Sequence, residues 1–147
     1  MADVQVLGYP IETVIAEKLC TAVQLGELNT RVRDYADIYS LIGTHGIDGD
    51  LVRAAVSATA TFRGTTLERL SVAAGGLAEL RQNDWAAYRR QLGPDADRLP
   101  SVFADVVASV SAFADPILTG AAAGRAWSSA TKAWVNPSRG RSSGSTR

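Results

Sequence analysis

The sequence has very few of the residues that form disulfides and soft metal sites. Of its 147 residues, one is cysteine, Cys20, and one is histidine, His45. A single cysteine cannot form an internal disulfide, and one cysteine with one histidine is too few for a zinc site. Helical periodicity places Cys20 away from the apolar face, as an inert thiol. His45 follows the C-terminus of a predicted helix, where the helix dipole favours a histidine, so its presence there does not require a catalytic role.

A membrane span and a secretory signal are also missing from the pattern. The most apolar stretch, residues 102–124, is interrupted by Asp105, Asp115 and Pro116, so it predicts a core helix rather than a span. No basic segment followed by an apolar one opens the sequence. We therefore predict a cytoplasmic protein without membrane contact.

Acidic residues are absent from the last part of the chain. Residues 119–147 hold five basic residues and no acid, whereas residues 1–50 hold eight acids and three bases. The low-complexity end, residues 136–147, predicts a disordered basic tail, which more often aids solubility than binds RNA or an acidic partner. The remaining 135 residues suffice for one domain with a core.

The apolar pattern is mainly helical. It predicts a bundle of about six helices with one short strand, residues 4–7, for which the local sequence offers no partner. Helices are predicted at Ile11–Leu25, after Asn29-Thr30 as N-caps, after Asp48 or Asp50, and over 67–80, 84–92 and 101–114. Asp115-Pro116 predicts the start of a further short helix. Trp127 and Trp134, seven residues apart, predict one face of a final helix, with the tryptophans as core anchors.

Lys18 stands out in the first helix. The helical wheel places it in the middle of a face formed by Ile11, Val14, Ile15, Ala22 and Leu25. A buried ammonium needs a negative partner, and the short connection to the second helix brings Asp34, at the border of that helix's apolar face, within reach. A Lys18–Asp34 pair is either a structural salt bridge or part of a phosphate-handling site; spacing alone favours the structural one and does not decide.

Residues 9–41 carry the most specific motifs. The elements I-E-T-x-x-A-E-K, G-E-x-N-T-R-x-R-D and D-I-Y closely resemble the C-terminal motif region of AbiEii/AbiGii-type nucleotidyltransferase toxins of abortive-infection and toxin–antitoxin systems. The resemblance continues more loosely to about residue 135, through Phe62-Arg63, Trp85 and the later tryptophans. It implies a nucleotidyltransferase family, with Mg²⁺ and a nucleoside triphosphate as expected cofactors.

The resemblance also implies roles for individual residues. The lysine of A-E-K contacts the nucleotide or its phosphates, and the aspartate of R-x-R-D belongs to the catalytic centre, which assigns Lys18 and Asp34. Arg31 and Arg33 are predicted to help form the electropositive nucleotide pocket. Glu17 and Asp37 are predicted as supporting, structural residues, Asp37 on a solvated face of the second helix.

The metal-binding element of the family, G-S-x-x-x-D-x-D, is missing from this sequence. Asp48-Gly-Asp50 and Asp95-Ala-Asp97 are its only D-x-D spacings, and both suit turns or caps. We therefore predict that this chain has no metal site. We also predict that it is the C-terminal part of a nucleotidyltransferase, either truncated or one partner of a split protein, and that it is inactive alone. Predicted partners are a cognate antitoxin, tRNA and a complementing N-terminal fragment. The alternative is a non-catalytic module that binds an antitoxin, a toxin or RNA.

Overall fold

A computed structural model describes residues 5–6 and 9–136, and over these residues the chain is mainly α with six α-helices, as predicted. The predicted tail lies almost wholly outside the described residues. The helices are α1 (Ile11–Leu25), α2 (Val32–Thr44), α3 (Gly49–Arg63), α4 (Leu70–Ala73), α5 (Leu77–Leu92) and α6 (Phe103–Thr119). The strands are β1 (Gln5–Val6), β2 (Tyr9–Pro10), β3 (Ile47–Asp48), β4 (Ala126–Ser128) and β5 (Ala133–Val135). Two 3₁₀ turns, Gly26–Leu28 and Gly93–Arg98, follow α1 and α5.

The predicted N-terminal strand has a partner after all. β1 pairs antiparallel with β2, so that Val6 lies opposite Tyr9 and Gln5 opposite Pro10. The prediction of a partnerless strand was wrong because a two-residue ladder closed by Pro10 shows no alternating pattern in the sequence. The hairpin leads directly into the first turn of α1.

α1 has the predicted bounds, and Ile11, Ile15 and Ala22 of its predicted apolar face are buried, but the buried face is shifted and does not include Val14 and Leu25. Leu19 and Cys20 are completely buried, and α1 packs chiefly against α3 along this face. The Cys20 thiol lies 3.6 Å from the carbonyl oxygen of Val56, so the prediction that it points away from the core was wrong. Lys18 consequently lies at the edge of the buried face and not in its middle; its side chain is 25% exposed.

The link from α1 to α2 positions the candidate site. Gly26 ends α1 with φ of 53°, and a Cβ there would lie 2.7 Å from the carbonyl oxygen of Ala73, so glycine is required. The predicted N-caps of α2 were wrong: Arg31 is the capping position and offers no side-chain bond. Buried Asn29 instead accepts a hydrogen bond from the Arg31 amide at 2.7 Å, which shapes the turn before α2.

α3 begins as predicted, because the Asp48 side chain accepts hydrogen bonds from the amides of Asp50 and Leu51. Its buried face was predicted wrongly. Helical spacing in the sequence places Leu51, Ala55, Ala58 and Phe62 in line, but the buried side chains are those of Val52, Val56 and Ala60, and Leu51 and Phe62 are exposed. α3 ends at Gly64, which adopts the left-handed conformation.

The second half of the chain differs from the predicted helices at two points. α4 is a single turn and α5 begins at Leu77, so the predicted helix over 67–80 is broken by the glycines at 75 and 76. α6 does not stop at Asp115; it runs through Pro116 to Thr119. Its apolar residues at helical spacing are buried as predicted: Phe103, Val106, Val107, Val110 and Phe113.

The last tryptophans lie on strands, not on the predicted helix. Trp127 in β4 stands directly across from Trp134 in β5, with ring centroids 5.5 Å apart, and β3 pairs with the other edge of β4. The pair does share a face, and all three tryptophans are core anchors as predicted, Trp85 and Trp127 being buried. A seven-residue spacing suits a helix and equally a hairpin with a four-residue connection, so spacing alone could not decide.

No single described helix is long and apolar enough to cross a membrane. The bent pair formed by residues 77–98 and 103–119 passes by length and composition only, and α6 is a core helix of this fold.

Candidate functional site

A cleft of about 480 Å³ opens beside α1, next to the β1–β2 hairpin and the start of α2. Its walls are polar and charged on one side and carry one exposed aromatic ring, that of Tyr9. The lining residues are Tyr9, Thr13, Val14, Glu17, Lys18, Thr21, Arg31, Asp34 and Arg63. Three cations and two carboxylates therefore face this space.

Lys18 lies between two carboxylates of α2. Its Nζ is 3.1 Å from Asp34 Oδ1 and 3.1 Å from Asp37 Oδ2, so the predicted contact between Lys18 and Asp34 is confirmed. Asp34 and Asp37 are one helical turn apart, which places both side chains on the face of α2 toward α1. Asp37, predicted as a supporting residue on a solvated face, is 38% exposed and also contacts the Lys18 ammonium, so it links α2 to α1.

The ammonium of Lys18 is held in its charged form. Partial burial desolvates it and acts to lower its pKa, but the hydrogen bonds to Asp37 and Asp34 and the attraction of both carboxylates outweigh this, so its pKa is raised above 10.5. At neutral pH Lys18 is therefore a fixed cation at the cleft wall.

Asp34 is shared by two cations. Its second oxygen, Oδ2, lies 3.0 Å from Arg31 Nε, and its side chain is only 13% exposed. Both carboxylate oxygens of Asp34 are thus engaged, one by Lys18 and one by Arg31. This carboxylate sets the relative position of the two cations that face the cleft.

Arg63 completes the charged wall and was not predicted as a site residue. It comes from the last turn of α3; its Nη1 donates to Thr21 Oγ1 at 2.8 Å and its Nη2 lies 3.5 Å from Glu17 Oε1. Its only signal in the sequence was the loose match at Phe62-Arg63, because contact with the cleft depends on how α3 packs on α1. Glu17, predicted as a supporting residue, is the carboxylate that this arginine contacts.

Arg33 does not line this cleft. It is exposed on α2, and its charge acts on Tyr88: burial and the negative charge of Asp37 raise the pKa of Tyr88, whereas Arg33 lowers it. Tyr88 and Asp37 line a separate cavity of about 190 Å³ formed by α2, α5 and the turn after α5. Of the residues predicted for the site, the structure therefore brings Glu17, Lys18, Arg31, Asp34 and Asp37 together and leaves Arg33 on another face.

The described residues do not fit a metal centre. Over residues 9–136 no three side chains of histidine, cysteine, aspartate or glutamate converge in a way that could hold a metal ion. Asp34 and Asp37 are turned toward Lys18, and Asp48 caps α3. This part of the chain therefore offers no ligand set for Mg²⁺.

His45 and Cys20 lie away from the cleft. His45 contacts the Thr44 hydroxyl and the Leu41 carbonyl at the end of α2, and Cys20 is buried between α1 and α3. Burial raises the pKa of the Cys20 thiol. The charge of Arg63 lowers the pKa of this thiol and that of Glu17 raises it, both less than burial does.

A helical domain whose cleft presents lysine and arginine side chains, ordered by carboxylates, is a domain suited to binding an anion. The profile of the nucleotidyl transferase AbiEii toxin family, from type IV toxin–antitoxin systems, matches residues 1–114, and the chain belongs to this family. No curated protein and no solved structure matches the chain significantly. Nucleotidyl transferases generally use a nucleoside triphosphate and Mg²⁺, and membership of a toxin–antitoxin family implies a cognate antitoxin.

Proposed function

We propose that this chain supplies the triphosphate-binding part of an AbiEii-type nucleotidyltransferase toxin. The observation that carries the proposal is the Lys18 ammonium at the cleft wall, 3.1 Å from both Asp34 and Asp37, with Arg31 on the second oxygen of Asp34. Two cations held at a fixed separation suit a polyphosphate, which offers several anionic oxygens in a row. The cleft is large enough for such a ligand.

Lys18 and Arg31 have distinct tasks in this proposal. The ammonium acts as a point charge on the phosphates, and the guanidinium offers a planar set of donors. Asp34 orders both, and phosphate oxygens that compete for Lys18 and Arg31 release a carboxylate oxygen of Asp34 toward the acceptor hydroxyl. In the transfer, that hydroxyl gives its proton to the Asp34 carboxylate and its oxygen bonds to the α-phosphorus, while the bond from this phosphorus to the bridging oxygen breaks and pyrophosphate leaves.

The metal-ligating carboxylates have to come from a different segment. Nucleotidyl transfer uses divalent ions to neutralise charge on the phosphates, and the described residues hold no ligand cluster. We propose that a segment carrying G-S-x-x-x-D-x-D supplies them, either from a split partner or from a longer form of the protein. The chain alone is then inactive in transfer. A role in abortive infection and a cytoplasmic location remain predictions.

The surroundings of the cleft favour a nucleic acid as the acceptor. Tyr9 is 62% exposed and lines the cleft together with Lys18, Arg31 and Arg63. Exposed aromatic rings beside cationic side chains are typical of surfaces on which unpaired bases stack. Of the two acceptors considered, the 3′ end of tRNA and a protein hydroxyl, this observation supports tRNA.

Labelled nucleoside triphosphates, Mg²⁺ and tRNA, incubated with the chain in the presence and absence of a fragment bearing the missing motif, test the proposal directly. We expect label in tRNA only in the complemented mixture. Lys18→Ala should reduce it by at least about 100-fold, because a cation at the transferring phosphates is removed. Lys132→Ala is the matched control, since Lys132 is the only other lysine and lies over the ring of Tyr39, away from the cleft.

If neither tRNA nor protein is labelled in the complemented mixture, with the fragment shown to be folded and bound, the enzymatic role is overturned. Label in protein alone would overturn tRNA as the acceptor. The absence of a metal-ligand cluster among the described residues favours one alternative, a module that binds an antitoxin, a toxin or RNA without chemistry. That module would bind tRNA or the antitoxin with an affinity that Lys18→Ala leaves unchanged.

A further inference from the structure

The three cations of the cleft differ in how fully their charge is compensated. Lys18 has two carboxylates at 3.1 Å, and Arg31 has Asp34 at 3.0 Å. Among the described residues, the carboxylate that Arg63 contacts is Glu17 alone, at 3.5 Å, which is longer than the 2.7–2.9 Å typical of a charge-assisted hydrogen bond. Arg63 is therefore the cation whose charge is most available to an added anion.

Glu17 is poorly anchored. Its side chain is 59% exposed, and its only charged partner among the described residues is Arg63. An exposed pair of this kind contributes little to stability, so Glu17 leaves Arg63 at small cost. Thr21 holds the guanidinium from the other side at 2.8 Å and stays in place when Glu17 moves, because it belongs to the same helix one turn further along.

The arrangement along α1 continues the proposed phosphate site. Lys18 and Thr21 are three residues apart and lie on one side of the helix, so Arg63 reaches α1 one turn beyond Lys18. Arg63 and Lys18 both line the same cleft. An anion with several charged groups can therefore contact Lys18 and Arg63 together.

We propose that Arg63 is a third polyphosphate-binding cation, positioned by Thr21, and that Glu17 is the carboxylate that the bound phosphate displaces. This rests on the proposed function, because the same ligand contacts Lys18. Glu17 thereby opposes binding of weak anions, which cannot outcompete it, and admits those that carry several charges.

Titration calorimetry with inorganic tripolyphosphate on the purified chain tests the inference. We expect Arg63→Gln to weaken binding about 10-fold, the loss of a charge-assisted contact. Glu17→Gln should tighten binding about 3-fold, because the competing carboxylate is gone. Arg90→Gln is the matched control: Arg90 is exposed in the last turn of α5, as Arg63 is in the last turn of α3, so its loss should leave binding unchanged.

The positioning role of Thr21 is tested by its effect on tripolyphosphate binding, which a purely structural role would not change. Thr21→Val should weaken tripolyphosphate binding about 3-fold, and Thr21→Ser, which keeps the hydroxyl, should restore it. Thermal unfolding of each variant shows whether the fold is intact. Equal binding by the valine and serine variants would remove the positioning role.

The outcomes separate the two proposals. If Lys18→Ala weakens binding but Arg63→Gln and Glu17→Gln change nothing, the inference on Arg63 is overturned and the proposed function stands. If Arg63→Gln weakens binding and Lys18→Ala does not, the Lys18 site is overturned and Arg63 binds anions independently. Absence of tripolyphosphate binding by the unsubstituted chain overturns both.

Discussion

At the scale of single residues, the site depends on one carboxylate serving two cations. Asp34 is 13% exposed and holds Lys18 and Arg31 at 3.1 and 3.0 Å. Within the part of the chain that the structure describes, Asp37 pairs with Lys18 alone and is about three times as exposed, at 38%. The two aspartates therefore differ in what their removal leaves behind, although they look alike in the sequence.

Replacement of the two aspartates by asparagine tests this difference. We expect Asp34→Asn to lower the free energy of unfolding by about 1–2 kcal/mol, because two cations lose a partly buried partner. Asp37→Asn should cost about 0.5 kcal/mol or less, as Lys18 keeps Asp34. Urea unfolding measures both, and Asp95→Asn, at an exposed pair with Arg98 at 3.6 Å, is the control expected to show no change. Equal losses at 34 and 37 would contradict the shared role of Asp34.

The raised pKa of Lys18 predicts how stability changes in alkaline solution. A group whose pKa is higher in the folded than in the unfolded protein stabilises the fold below its unfolded pKa, and this contribution is lost as the pH rises through the folded pKa. The loss should therefore begin above pH 10.5. Lys18→Arg keeps a charge that does not titrate in this range. We expect the unfolding free energy of the unsubstituted chain to fall relative to Lys18→Arg above that pH; parallel curves would refute the prediction.

At the scale of elements, the helices were more predictable than their faces. Periodicity gave the bounds of α1 and the buried residues of α6, because long apolar runs leave few alternatives. It gave only part of the buried face of α1, because the smaller residues Ala16 and Cys20 are also buried where α3 packs closely. It missed the C-terminal hairpin because Trp127 and Trp134 acquire their register only from pairing across the strands. The Lys18–Asp34 contact was predictable and Arg63 was not, since Arg63 depends on the packing of α3.

The start of α3 contains a close contact that a glycine substitution can test. The amide of Gly49 donates to the Arg125 carbonyl at 2.8 Å, and a Cβ at this position would clash with the carbonyl oxygens of Ala122 and Arg125. We expect Gly49→Ala to lower the unfolding free energy by about 1–3 kcal/mol.

Gly43 is the matched control for this substitution. A Cβ at Gly43 in α2 meets nothing within 4 Å, so Gly43→Ala should leave stability unchanged or raise it by up to about 1 kcal/mol. Thermal melts compare the two variants. Equal effects would mean that the contact between α3 and the segment before β4 does not constrain the fold.

At the scale of the whole molecule, α6 joins two aromatic clusters. Phe103, near its start, stacks on Trp85 at 5.0 Å and meets Tyr35 at 5.6 Å. Phe113, ten residues later, contacts Trp127 at 5.0 Å and Trp134 at 5.4 Å. The two clusters share one helix and one core, so neither is a separate folding unit.

This connection predicts a single cooperative unfolding transition. In Trp85→Phe the remaining tryptophans report on the C-terminal cluster alone, while circular dichroism reports on all helices. We expect their urea midpoints to coincide, as they should for a two-state domain. A fluorescence transition at distinctly lower urea than the dichroism transition would show that the C-terminal hairpin opens independently.

The single cysteine of this protein can report how often its first and third helices separate. Cys20 is fully enclosed by the seam between α1 and α3, so a soluble alkylating reagent reaches its sulfur only while that seam is open. At saturating reagent, the rate of Cys20 alkylation therefore equals the rate at which α1 and α3 separate, and no engineered label is needed. Because the cleft cations Lys18 and Arg63 lie on these two helices, a polyphosphate that bridges them should lower the rate of Cys20 alkylation.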